Sequence, residues 1–173
     1  MTSSTDAFSS SDAPLPPKAQ RGVLPLLVAV GLAGAGTMVV ELSAVRLLAP
    51  WYGMSNSVWT HAIGVILLAL ALGYALGARL SRRQDPLGPM VWVLAGASLW
   101  CALLPLLCQR VAPWFMPSGV TLHGAGGLLF WGSLASSLLL FLVPALLLGC
   151  VAPLAVEQLS KLQVRLGQHA GQA

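Results

Sequence analysis

A chain of 173 residues that is 57% hydrophobic and 8% charged, with a mean hydropathy of +0.81, has too few charges for a water-soluble domain, which carries about 25%. Its net charge of +4 comes from residues near the ends and in one connection, which fits topology signals and excludes a nucleic-acid surface. The composition fits an all-α polytopic membrane protein with apolar sequence for about four crossings of about 20 residues each. The three cysteines, Cys101, Cys108 and Cys150, fall in apolar stretches, where cysteine packs as a small hydrophobe; without further ligands nearby they make a poor metal site.

Residues 1–21 are rich in Ser, Thr, Pro and Ala, a composition that buries too little apolar surface to offset its ordering entropy, and they are expected to form a disordered tail. The apolar run begins only after Arg21 and is too long for a secretory signal, so no cleavage is expected. Residues 22–156 are expected to form a transmembrane domain with spans at about 23–48, 58–80, 89–109 and 128–154, arranged as two packed hairpins. In the first span Gly31, Gly34 and Gly36 leave a groove for a neighbouring backbone; in the second, Ala69, Gly73 and Gly77 recur every four residues as a small-xxx-small packing stripe. Pro105 is expected to bend the end of the third span. The fourth carries Ser133, Ser136 and Ser137, then Pro144, Gly149 and Pro153. Those prolines predict a helix break, and the carbonyls they free need partners within the protein. Residues 157–173 follow, with leucines at 159, 162 and 166 at the spacing of a short amphipathic surface helix.

Lys18 and Arg21 precede the first span, Arg79, Arg82 and Arg83 separate the second from the third, and Lys161 and Arg165 follow the fourth. By the positive-inside bias both termini are cytoplasmic. The three clustered arginines are also positioned to meet anionic lipid headgroups. The connection from Arg110 to Gly127, with Trp114 and Phe115, is expected along the outer surface, joined in one aromatic belt by Trp51, Tyr52, Trp59 and Trp131.

Counting 1.5 Å per residue puts Glu41 about 27 Å beyond Val23, with Arg46 just above it. His61 re-enters the membrane from the same side, so these three residues form a candidate intramembrane polar site. Glu41 and Arg46 are about 140° apart around the helix, which favours bridging through a neighbour over a direct pair. Two readings stay open: a lock on the outer end of the first hairpin, and a proton or substrate site open to the outside. His61 could also ligate a haem or chlorophyll, but His123 and His169, in the outer connection and the tail, are not at its depth. The glycines at 31, 34 and 36 follow no strand and make no nucleotide loop, and the aspartates lie away from His61, which leaves Ser-His-Asp catalysis unsupported.

Glu41, Arg46, Leu48, the Tyr52-Gly53 pair, Trp59, the run Leu70-Ala-Leu-Gly73-Tyr-Ala-Leu-Gly77-Ala-Arg-Leu80, and later Pro144 to Gly149 with Pro153-Leu154 resemble the N-terminal membrane region of bacterial spermidine synthase-like proteins, the fused transporter/spermidine synthases. The resemblance covers about residues 24–156. Ala44-Val45 stand where an aromatic is usual, and Ser81 where an acid is usual. The family joins such a membrane region to a cytoplasmic methyltransferase-like domain that transfers an aminopropyl group to putrescine. Nothing in 157–173 supplies that domain's glycine-rich loop and acidic residues.

The expectation is therefore a non-catalytic, multi-pass subunit of the bacterial inner membrane, a scaffold or anchor without a cofactor of its own. Its partners would be the bilayer, further copies or other membrane subunits, and a cytoplasmic methyltransferase-like protein. The alternatives are half of a polyamine or small-solute transporter, and a cofactor-binding subunit of a respiratory or photosynthetic complex built on His61.

Overall fold

The computed structural model describes residues 17–82, 87–115 and 125–170. They form four helices: α1 (Pro17–Tyr52), α2 (Asn56–Ser81), α3 (Leu87–Phe115) and α4 (Ala125–Ala170). Each contains a segment long and apolar enough to cross a membrane: Val23–Tyr52, Asn56–Ser81, Leu87–Phe115 and Leu129–Leu162. Large apolar side chains such as Leu32, Leu67, Val91 and Leu139 also cover the outside of all four. A helix that is apolar on its packed and its outward faces belongs in hydrocarbon, and the protein is a multi-pass membrane protein.

The helices outrun the expected spans. α1 already begins at Pro17, so residues 17–21 are helical where composition predicted disorder; proline at a first helical position has its φ pre-set and loses no hydrogen bond there. The rest of the predicted tail, 1–16, lies outside the described residues. α3 continues through Arg110 to Phe115, placing Trp114 and Phe115 on a helix rather than in a connection. α4 continues to Ala170, so the segment expected as a separate surface helix prolongs the fourth span. The ion pair from Lys161 Nζ to Glu157 Oε1, 3.6 Å, supports this extension at the favourable i, i+4 spacing.

Between α1 and α2 the chain reverses at residues 53–55. Gly53, with φ of +73°, takes the left-handed conformation that ends α1, and its N–H donates to Ala49 O at 2.9 Å. Ser55 then caps α2, its hydroxyl accepting from Val58 N–H at 3.4 Å. The bundle end carrying this reversal is the turn end below.

α4 is the post on which α1, α2 and α3 all pack, and α2 lies closest to it. The tightest pairing thus joins helices that the hairpin arrangement assigned to different hairpins, and α2 has much less contact with α1. The reason is the glycine register. A Cβ added at Gly77 would stand 2.7 Å from Cys150 O, one at Gly149 2.8 Å from Leu70 O, and one at Gly73 would strike Leu146 O. Backbone therefore rests on backbone, a contact that only glycine permits and that gains dispersion over a long stretch. Of the groove expected on α1, only Gly36 meets this chain, with a built Cβ 3.8 Å from Leu148 Cδ2; at Gly31 and Gly34 nothing lies within 4 Å. Two apolar cores result, one at the turn end around Leu48, Ile66 and Phe141 and one at the opposite end around Met90, Val151 and Leu154.

The expected helix break at Pro144, Gly149 and Pro153 does not occur, because α4 is helical through all three. Pro144 cannot donate to Leu140 O four residues earlier. The indole N–H of Trp100 on α3 donates to that carbonyl instead, at 3.0 Å. Gly149, between the two prolines, is seated against Leu70.

Gly73→Leu is expected to lower the unfolding temperature in detergent, at a cost of about 3 kcal/mol or more, because the side chain meets α4 backbone that cannot give way. Gly64→Leu on the same helix, where a Cβ meets nothing within 4 Å, is expected to match or exceed wild type. Equal losses for the two would refute this packing.

Candidate functional site

Three buried hydroxyl side chains form one stripe of α4 at the turn end. Ser133, Ser136 and Ser137 are fully buried, and their i, i+3, i+4 spacing puts them on one face. From α2, His61 brings Nδ1 to within 2.8 Å of Ser133 Oγ. Ser133 also donates to Phe130 O at 3.0 Å. A serine hydroxyl has one proton, so with that proton on Phe130 O the imidazole donates to Ser133 Oγ through Nδ1–H. The Phe130 ring meets the imidazole edge to face, with centroids 4.4 Å apart.

From α1, Tyr52 reaches the same stripe. Its hydroxyl is 2.7 Å from Ser136 Oγ and 3.4 Å from Ala112 O on α3. Gly132 makes room for it, since a Cβ there would come 3.1 Å from the tyrosine ring. Tyr52 is 4% exposed, which removes it from the expected aromatic belt. Trp59, Trp114 and Trp131 do face outward, and Trp51 is half-buried. The aromatic label was too coarse for Tyr52: a polar tip on a large apolar ring suits a buried hydroxyl partner as well as a headgroup. The serine spacing on α4 was the available signal. Ser137 Oγ, on the same face, is buried without a hydrogen-bond partner.

No hydrogen bond or ion pair joins Glu41, Arg46 and His61. Glu41 is half-buried on α1 and Arg46 is exposed. Helix bounds also separate them in depth: Glu41 precedes the end of α1 at Tyr52 by eleven residues and His61 follows the start of α2 at Asn56 by five. At 1.5 Å per residue, Glu41 lies about 9 Å deeper than His61. The expectation of one shared layer is corrected accordingly, because it measured Glu41 from the far end of α1 instead of from the turn. The histidine's partner is a serine of α4.

Arg79 and Arg82 are exposed at the opposite end of α2, Arg79 in its last turn, where the helix dipole favours a cation. Arg83 and His123 lie outside the described residues. All three cysteines are free thiols; Cys108 is buried and donates from Sγ to Leu47 O at 3.3 Å, tying α3 to α1. Among the described residues no group of three or more His, Cys, Asp or Glu side chains is placed to hold a metal ion.

The buried hydrogen bond between His61 and Ser133 is expected to contribute about 1 kcal/mol, within the range of interhelical bonds in membranes. A double-mutant cycle of His61→Leu and Ser133→Ala, read by unfolding in mixed micelles, should return a coupling energy of that size. Strict additivity would show that the pair does not interact.

Comparison of the chain with protein-family models, with curated proteins and with solved structures returns no match.

Proposed function

We propose that the chain is a non-catalytic integral membrane subunit that serves as a scaffold or anchor in a larger assembly. One observation carries this reading: three side-chain hydrogen bonds join the other helices to α4. His61 to Ser133 ties α2 to α4, Tyr52 to Ser136 ties α1 to α4, and Trp100 to Leu140 O ties α3 to α4. Interhelical hydrogen bonds of this kind fix a bundle's geometry.

The resemblance to the membrane region of spermidine synthase-like proteins supports the same reading, since several residues that carry it have packing roles. Tyr52 is a core residue, Gly53 turns the chain, Gly73, Gly77 and Gly149 permit backbone contact, and Pro144 is accommodated by Trp100. In this proposal the termini face the cytoplasm of a bacterial inner membrane, on the evidence of the basic residues at that end. A methyltransferase-like protein would dock there, where α4 prolongs the fourth span to Ala170.

Affinity purification of the full chain in mild detergent at native expression level, followed by native mass measurement, tests the proposal. The expected result is a complex heavier than one chain. A single chain that binds or transports a polyamine, and loses that property in Glu41→Gln, would instead identify a transport protein.

A further inference from the structure

We infer that two copies of this chain pair in parallel through the outward face of α1, with Glu41 of each copy bonded to Arg46 of the other. The inference deepens the assembly reading by naming a partner, and it rests on that reading only in this respect. Leu24, Val28, Gly31, Ala35, Met38 and Leu42 follow one another at alternating steps of four and three, the a/d spacing of a heptad seam. All six are exposed in the single chain, and Leu24, Val28, Met38 and Leu42 are each more than half exposed. Beyond Leu42 the seam closes, because Val45 is buried in the chain's own core.

Glu41 flanks this seam at a g position, and Arg46 lies just past its closed end, on the other side, at an e position of the same heptad frame. In a parallel two-fold pair, the g flank of one helix lies beside the e flank of its mate. A g residue then meets the e residue five positions on in the other chain, which is the separation of Glu41 and Arg46. Within one chain the two point about 140° apart and form no ion pair. Glu41 stands in the apolar layer, about 9 Å deeper than His61 by helical rise. An ionisable group there needs a partner, and lipid tails provide none. A second copy supplies one for both charges, twice over by symmetry. Gly31 has nothing within 4 Å of a built Cβ, so close approach of the two helices meets no obstacle at the middle of the seam.

The test is mutual capture of two differently tagged full chains reconstituted in lipid bilayers. Wild-type copies are expected to capture one another. Glu41→Arg in both copies, or Arg46→Glu in both, sets like charges together and should reduce capture about tenfold. One copy bearing Glu41→Arg and the other Arg46→Glu should capture each other as wild type does, because both contacts regain opposite charges, and no contact within a single chain could produce that recovery. Gly31→Leu is a second variant that leaves the single chain's packing untouched and should abolish capture on its own. Wild-type chains that do not capture each other, single-charge variants that capture normally, or a mixed pair that fails to recover would overturn the inference. A chain that copurifies with a different polypeptide but never with itself would overturn it and leave the assembly reading standing.

Discussion

Helices in a bilayer gain little by hiding leucine from lipid tails that are just as apolar, so their association depends on close van der Waals contact and on satisfied polar groups. In this protein that constraint is met first between α2 and α4. Gly73, Gly77 and Gly149 bring the two backbones together over about two turns, and no larger residue could occupy those positions without separating them. α4 then serves as the post for α1 and α3, with its serine stripe turned toward helices that carry their own polar groups. The same constraint explains why Pro144 does not break α4, since the carbonyl it leaves without a donor is taken by Trp100.

The membrane class and the four helices were legible because they depend on composition and length, which one sequence displays fully. The need of Pro144 for an outside partner was equally legible, since it follows from the chemistry of one residue. The identity of that partner was not, because Trp100 is 44 residues away and no local rule connects them. Helix ends were misjudged where composition turns polar before the helix stops: Pro17 to Arg21 and the stretch after Leu154 read as non-membrane sequence, yet both continue helices. A helix leaving the bilayer has no reason to stop there if its residues still favour helix.

The polar site was harder to read for a related reason. Rise counted from Val23 along α1 puts Glu41 level with His61, whereas rise counted back from the turn puts it deeper. Measured from Gly53, His61 belongs to the turn-end cluster with Ser133, Ser136 and Tyr52, and Glu41 is left deeper and on the flank of an open face. The chain therefore separates two uses of polarity: one set braces the bundle from within, while Glu41, half-buried, and Arg46, exposed, stand on α1 apart from that set.

The central claim is that α2 rests on α4 through backbone contact, and solid-state NMR of the unmodified chain in lipid bilayers tests it most directly. With glycine Cα and leucine carbonyl labelling, the account predicts cross-peaks between Gly73 and Gly149 and between Gly73 and Leu146. Absence of both, with the glycines of α2 correlating instead with α1, would contradict it.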